Sequence, residues 1–127
     1  MSTTYYDSDS GWGCMLRVGQ MALAHYLHNE EHMPLRTLLT LFWDNSDLPF
    51  SIQMLTHVSA NLYPKKQKYE WYNPCEMGFI IKELLDQNLP QVATKVFLDN
   101  SIFLSEIPTD KPKVLLMIMI RIGLDEP

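Results

Sequence analysis

The sequence predicts an α+β fold in which helices come first and sheet strands come last. Between residues 14 and 88, apolar side chains recur at helical spacing, interrupted by polar stretches and prolines. Between residues 92 and 124, β-branched and aromatic side chains are concentrated in two short runs, which is typical of strands. Because the chain has 127 residues, an apolar fraction of 46% and no internal repeat, we expect a single domain with a core of its own.

The first predicted helix runs from Cys14 to about Leu27 and follows a glycine-rich turn. Asp9 or Ser10 is expected to cap its first turn, because a short polar side chain can accept a hydrogen bond from the open amides there. We expect the helix to be largely buried. Its apolar positions are Met15, Leu16, Val18, Ala22, Leu23, Tyr26 and Leu27.

Three further helices are predicted from residues that start or stop them. Pro34 suits the first turn of a short second helix, which continues through Trp43. Ser51 suits the N-cap of a third helix. The phenylalanine before it can form a hydrophobic staple with an apolar residue in the first turns of that helix. Asn73, followed by a proline and a glutamate, predicts a capping box before a fourth helix that ends near Asn88.

Two strands are predicted after the helices. The first covers Val92 to Leu98, and the second covers Val114 to Ile122 after a turn that begins at Thr109. The second run is almost continuously apolar, which predicts that both of its faces are covered, as in the centre of a sheet. This run is also far shorter than the roughly 20 residues that a membrane-spanning helix needs.

Charge and composition exclude several classes of function. The net charge is −5 and the one basic cluster, at residues 65–68, is expected to be a solvated loop, so we predict no nucleic-acid partner. The two cysteines, Cys14 and Cys75, come without a leader-like segment, which indicates a reducing, cytoplasmic compartment. They are not spaced around the four histidines as zinc ligands are, so neither a metal nor another cofactor is expected.

Cys14 is the candidate nucleophile, because it stands at the predicted start of a helix. Amide N–H groups in a first helical turn have no partner inside the helix and carry the positive end of its dipole, which favours an anionic sulfur. Gly11 and Gly13 allow a tight turn that leaves the thiol accessible. The alternative is a packed thiol in the core, since cysteine is among the most buried residue types.

Four segments of the chain resemble one family, in the same order. Residues 11–21 read Gly-Trp-Gly-Cys-Met-Leu-Arg-Val-Gly-Gln-Met, which strongly resembles the nucleophile motif of the autophagy cysteine peptidases that process the ubiquitin-like autophagy modifier. Pro49–Ile52 is similar to a helix start of that family, Glu70–Pro74 to its Trp-Tyr/Phe-Gly-Pro loop, and residues 114–124 to its Leu-rich strand. The resemblance therefore spans nearly the whole chain.

The tetrapeptide Gly-Trp-Gly-Cys alone is less specific. Peptidases of the Ufm-type modifier carry it too, but their motif continues with Ala-Tyr-Arg-Ser-Leu-Gln. The continuation here, Met15-Leu16-Arg17 followed by residues 19–21, favours the autophagy family.

The resemblance implies a papain-like fold and a mechanism. Cys14 would attack a glycine carbonyl near the C-terminus of the modifier, with its own backbone N–H as oxyanion donor. Trp71 matches a tryptophan whose loop covers the catalytic groove, although an aromatic cluster with its neighbours is the alternative. Trp12 could line the groove or pack in the core. Arg17, one turn into the helix, is expected to point away from the thiol and form a structural ion pair.

The implied partners are the modifier precursor and its phosphatidylethanolamine conjugate, so contact with a membrane would be indirect. In the family, an Asp-Pro-His motif far downstream supplies the base, whereas this sequence stops at Asp125-Glu126-Pro127 and has no Asp-x-His anywhere. We therefore expect residues 1–127 to be part of one peptidase domain that is truncated and lacks its Asp and His. The alternative is an inactive fragment or pseudo-peptidase that binds the modifier.

Overall fold

A computed structural model describes residues 8–120, in which four helices precede two strands. The predicted α+β order is confirmed. A single 3-10 turn, Leu104–Glu106, lies between the strands. The elements are α1 (Cys14–Asn29), α2 (Leu35–Leu41), α3 (Ile52–Leu62), α4 (Pro74–Asn88), β1 (Val92–Phe97) and β2 (Lys113–Ile118).

The starts of α3 and α4 follow the predicted capping rules. Ser51 Oγ accepts a hydrogen bond of 3.1 Å from the amide of Met54. Asn73 Oδ1 accepts one of 2.8 Å from the amide of Glu76, whose carboxylate accepts one of 2.9 Å from the amide of Asn73. Both predictions are confirmed, because a cap depends only on residues that are neighbours in the sequence.

The predicted cap of α1 is wrong, and its predicted buried face is confirmed only for Leu16, Leu23 and Leu27. Its N-cap is Gly13, and no side chain caps it. Val18 is 49% exposed, whereas the buried stripe runs through Leu16, Leu23 and Leu27. The reason lies in α4, which packs so closely on α1 that a Cβ at Gly19 would lie 2.7 Å from Met77 Cγ. Because α4 lies against Gly19, the side chains on that face of α1 are the ones that are buried.

Helix α2 is shorter than predicted. It ends at Leu41, and Trp43 lies outside the helix with 67% of its surface exposed. At Phe42 the backbone leaves the helical region and the ring packs against Phe50, with 5.4 Å between ring centroids. The amide of Phe50 donates to the carbonyl of Leu41 at 3.1 Å, which fixes the turn. Packing against a distant residue therefore ends the helix.

The two strands form a parallel pair in which Val92 is aligned with Lys113 and Phe97 with Ile118. The sequence predicts the second strand over Val114 to Ile122. In the structure β2 begins one residue earlier than that and ends at Ile118. The last two residues of the predicted run lie outside the described part of the chain. The prediction that both of its faces are covered is also wrong. β1 is the buried strand and packs on α4, whereas β2 is half-buried or exposed along its length.

The core lies where α1, α3 and α4 meet, and β1 extends it. Each fully buried aliphatic side chain there contributes about 1.5–3 kcal/mol. The core holds the first turn of α1 firmly through Leu16, which is 0% exposed although it is only two positions after Cys14. The other large side chains with essentially no exposed surface are Leu27, Leu55, Ile80, Leu84, Leu85 and Val92.

Candidate functional site

Cys14 is the first residue of α1, and it is exposed. The turn before it is closed by the carbonyl of Asp9, which accepts hydrogen bonds from the amides of Trp12 (3.3 Å) and Gly13 (2.9 Å). Gly11 has a φ of +82°, a left-handed conformation that favours glycine. The sequence thus places the thiol at the end of a tight turn and at the surface.

The first turn of α1 offers open amides beside this thiol. The amide of Arg17 donates to the carbonyl of Gly13 at 3.0 Å, which is the first hydrogen bond of the helix. The amides of the three residues before Arg17 therefore have no acceptor inside the helix. No side chain caps the turn and no acidic residue lies in it. Such a turn favours negative charge, either on a sulfur or on an oxygen that develops charge during a reaction.

The second cysteine provides an internal comparison, because it too lies at the start of a helix. Cys75 is the second residue of α4 and is half-buried. There the amide of Glu76 donates to the side chain of Asn73, and the Glu76 carboxylate accepts from the amide of Asn73, so a capping box with an acidic residue occupies the helix start. The two cysteines therefore differ in their surroundings: the first turn at Cys14 is uncapped and has no acidic residue, whereas the one at Cys75 is capped and contains Glu76.

Trp12 lies in the core next to the candidate nucleophile. Only 3% of its surface is exposed, and its Nε1 donates a hydrogen bond of 2.7 Å to the carbonyl of Ser8. Its ring meets Tyr69 edge-on, with 6.2 Å between centroids. This contact ties the segment that carries Trp71 to the turn that carries Cys14. Trp12 also lines a cavity of about 290 Å³ behind the turn.

Trp71 lies on the outside of that same segment, with 69% of its surface exposed. Its carbonyl accepts a hydrogen bond of 2.8 Å from Lys66 Nζ. The next residue, Tyr72, is buried and its hydroxyl donates to Ser59 Oγ at 2.8 Å. The segment is therefore anchored on both sides while the indole of Trp71 faces solvent.

Lys66 corrects the prediction that residues 65–68 form a solvated loop. Its side chain is only 7% exposed, and its ammonium group lies 3.4 Å from Glu70, 3.1 Å from Glu76 and 4.7 Å from the centre of the Tyr72 ring. Sequence reasoning missed this role. The available signal was Glu70, four residues after Lys66, although that spacing alone does not distinguish a buried pair from an exposed one.

Arg17 forms the predicted ion pair, which is confirmed with two partners. Its Nε donates to Asp9 Oδ2 at 2.7 Å, and its Nη1 lies 3.3 Å from Asp44 Oδ1 and 3.0 Å from Gln20 Oε1. The Arg17 hydrogen bond lowers the pKa of Asp9, which keeps this carboxylate charged. Gln20 in turn donates to the carbonyl of Phe50 at 2.8 Å.

Two of the four histidines, His25 and His28, lie far from Cys14 along α1. His25 and His28 lie 11 and 14 residues along the same helix, which corresponds to about 16 and 21 Å at 1.5 Å per residue. His28 Nδ1 contacts the carbonyl of Met33, and the ring of His25 contacts Asn29. His57 lies within α3 and is half-buried. Neither His25 nor His28 can accept a proton from the thiol directly.

The part of the chain between residues 8 and 120 shows neither a metal site nor a membrane-spanning helix. No group of three or more His, Cys, Asp or Glu side chains in this part of the chain is arranged to hold a metal ion. None of the helices in the same range combines the length and the hydrophobicity needed to cross a bilayer.

Comparison with known proteins gives one consistent result. The Peptidase C54 catalytic domain family matches residues 1–127. The probable cysteine protease atg4 of Schizosaccharomyces pombe is 33% identical over 122 residues, which cover 93% of this chain and 38% of the relative. Cysteine protease ATG4A is 31% identical in Xenopus laevis (80% of this chain, 29% of the relative) and 31% identical in Mus musculus (79% and 28%).

The chain thus spans between about a quarter and two fifths of the length of these curated relatives. The matched parts include the turn and helix that carry Cys14, which agrees with the resemblance of residues 11–21. By sequence and by its helix-then-strand architecture, the chain belongs to the Peptidase C54 catalytic domain family of cysteine peptidases.

Proposed function

We propose that Cys14 is the nucleophile of a cysteine endopeptidase that acts on the ubiquitin-like autophagy modifier. The observation that carries this proposal is the exposed thiol at the uncapped start of α1. Membership of the Peptidase C54 family and the names of the relatives, which are cysteine proteases of autophagy, support it. Residues 1–127 are then part of a single papain-like peptidase domain in the cytoplasm.

The proposed reaction has two steps. The Cys14 sulfur forms a bond to a glycine carbonyl carbon near the modifier's C-terminus, and the carbonyl electrons move to the oxygen, which the backbone N–H of Cys14 stabilises. Collapse of this intermediate breaks the C–N bond, and the amine leaves with a proton. Water then hydrolyses the thioester, which restores the thiol. If the leaving amine is that of phosphatidylethanolamine, the same steps release the modifier from lipid.

The substrate tail is proposed to pass between the Cys14 turn and the segment of Trp71. The contact between Trp12 and Tyr69 brings these two parts of the chain together, and the exposed indole of Trp71 is available to cover a narrow glycine tail. Trp12, at 3% exposure, would support the groove from behind.

The base is proposed to belong to a part of the enzyme other than residues 1–127. The sequence has no Asp-x-His, and His25 and His28 are about 16 and 21 Å from Cys14 along α1. The same observation favours a second candidate function, in which this chain binds the modifier without cleaving it.

One experiment separates the two candidates. The chain, together with the part of the enzyme that is proposed to supply the base, is incubated with the modifier precursor, with its lipid conjugate on vesicles, and with a Ufm-type precursor, and C-terminal cleavage is followed by mass spectrometry. Cleavage by the wild type and by Cys75→Ala, but not by Cys14→Ala, supports the peptidase. Binding of the modifier without cleavage supports the non-catalytic function. Absence of both binding and cleavage contradicts the proposal, and cleavage of the Ufm-type precursor alone reassigns the substrate.

A further inference from the structure

The start of α1 differs from the starts of α3 and α4, which are capped by Ser51 and Asn73. The N-cap of α1 is a glycine, so no side chain occupies the amides of the first turn. These are the amides that a thiolate and an oxyanion would use at Cys14.

A carboxylate that could cap this turn lies next to it. The carbonyl of Asp9 accepts hydrogen bonds from Trp12 and Gly13, and a Cβ at Gly13 would lie 2.7 Å from Asp9 Cβ. The Asp9 side chain therefore leaves the backbone beside the helix start. Aspartate is among the preferred N-cap residues, and negative charge is favoured at this end of a helix.

Arg17 holds the carboxylate elsewhere. Its Nε donates to Asp9 Oδ2 at 2.7 Å, while its Nη1 contacts Gln20 on the next turn of α1 and Asp44 in the segment after α2. Gln20 is itself buried and bonded to the carbonyl of Phe50. The guanidinium is thus fixed from two further sides, and its direction toward Asp9 is set by the fold.

We propose that Arg17 is a positioning residue that keeps the Asp9 carboxylate off the first turn of α1 and neutralises it, so that the open amides serve Cys14 and the developing oxyanion. This inference rests on the proposed role of Cys14 as the nucleophile. Asp44 is the second anionic partner of Arg17, but it comes from a different part of the chain, the segment after α2. It provides a matched comparison for Asp9.

The test compares alkylation of Cys14 by anionic iodoacetate and by neutral iodoacetamide. Both reagents react with the same thiolate. The ratio of the iodoacetate rate to the iodoacetamide rate therefore reports the local electrostatic potential and not the amount of thiolate. Peptide mass spectrometry follows Cys14, with Cys75 as the internal reference. In Arg17→Met the ratio at Cys14 should fall about two- to fourfold, the size expected for one uncompensated charge about 10 Å away near the surface.

The double variants distinguish a positioned carboxylate from a change in net charge. Asp9→Asn with Arg17→Met should restore the ratio, whereas Asp44→Asn with Arg17→Met, which has the same net charge, should leave it low. Equal restoration by both, or by neither, overturns the inference. If Arg17→Met does not fold, Asp9→Asn is compared with Asp44→Asn, which removes the same charge: Asp9→Asn should raise the ratio more than Asp44→Asn does, and an equal or smaller rise overturns the inference.

Failure of this inference and failure of the proposed function give different results. Alkylation ratios that follow the expected pattern without any cleavage of the modifier would leave the positioning role intact and remove the peptidase. If cleavage depends on Cys14 but the alkylation ratios do not change in the Arg17 variants, the peptidase stands and the positioning role is overturned.

Discussion

The ammonium group of Lys113 donates a hydrogen bond of 2.7 Å to Glu31 Oε2, which joins the first residue of β2 to the end of α1 across 82 positions of sequence. Tyr26 donates to the same carboxylate oxygen at 3.1 Å. Burial, together with the Glu31 contact, raises the pKa of Tyr26 to about 12. One carboxylate therefore links the helical part of the molecule to the sheet.

Replacing Glu31 by Gln should destabilise the fold in a pH-dependent way. The Lys113 hydrogen bond lowers the pKa of Glu31 below its usual 4.5. A lowered pKa means that the stabilisation is complete above the unfolded-state pKa and is lost as the pH falls through the lower, folded value. We expect a loss of about 1 kcal/mol at pH 7, since Lys113 is half exposed.

Urea unfolding of both proteins between pH 7 and pH 3 measures this effect. The difference in unfolding free energy should shrink as the pH drops below 4.5, the usual value for this carboxyl. Glu30→Gln, at the exposed neighbouring position, is the control and should show no such trend. A Glu31→Gln difference that is constant over this range would contradict the assignment.

Lys66→Met should loosen the segment that carries Trp71. The variant keeps an apolar stem against Tyr72 but loses the hydrogen bond to the Trp71 carbonyl and the contacts with Glu70 and Glu76. Because the Lys66 side chain is only 7% exposed, the loss of this charged donor costs about 1–3 kcal/mol, mainly through its contact with Glu76 and the Trp71 carbonyl. Chymotrypsin should cleave near Trp71 faster in Lys66→Met than in the control Lys65→Met, whose position is exposed. Equal cleavage rates would show that Lys66 does not hold the segment.

Gly13→Ala should destabilise the fold more than Gly19→Ala. A Cβ at Gly13 would lie 2.7 Å from Asp9 Cβ, 3.1 Å from its carbonyl oxygen and 3.3 Å from its Cα, which are atoms at or next to the backbone. A Cβ at Gly19 meets mainly the flexible side chain of Met77. We expect about 2–3 kcal/mol for Gly13→Ala and about 1 kcal/mol for Gly19→Ala, measured by denaturant unfolding. The reverse order would contradict this account of the turn.

The outer edge of β2 should promote self-association. Among residues 8–120 this strand pairs only with β1, and residues 114–120 are all apolar, with no charged or proline residue to oppose pairing with another chain. Val114, which is 38% exposed, is the position for a gatekeeper. Size-exclusion chromatography should show oligomers that Val114→Lys reduces. Leu104→Lys, at an 81% exposed site outside the strands, should not reduce them. A wild-type monomer at all concentrations would refute the prediction.

The sequence predicts well the features that depend only on neighbouring residues. Ser51 and Asn73 start α3 and α4 because their caps are made within three residues. The position of Cys14 at the start of α1 is set in the same local way, by the glycines before it. These elements needed no knowledge of the rest of the fold.

The sequence predicts poorly the features that depend on contacts between residues distant in the sequence. The buried face of α1 depends on how closely Met77 approaches Gly19, and the Asp9 carboxylate is bonded to Arg17 instead of capping α1. Lys66 is buried because of residues that follow it around a turn, which charge patterns do not reveal. The continuous apolar run of β2 gave no sign that β1 would hold the buried position.

The parallel pairing of the two strands also bears on the order in which the chain folds. Val92 pairs with Lys113, a separation of 113 − 92 = 21 positions, and every other pair in the register has the same separation. Helices form from contacts within four residues, whereas this pairing must first close a long loop. During synthesis the residues of α1 therefore emerge well before those of β2, and the hydrogen bond between Lys113 and Glu31 can form only after both are present.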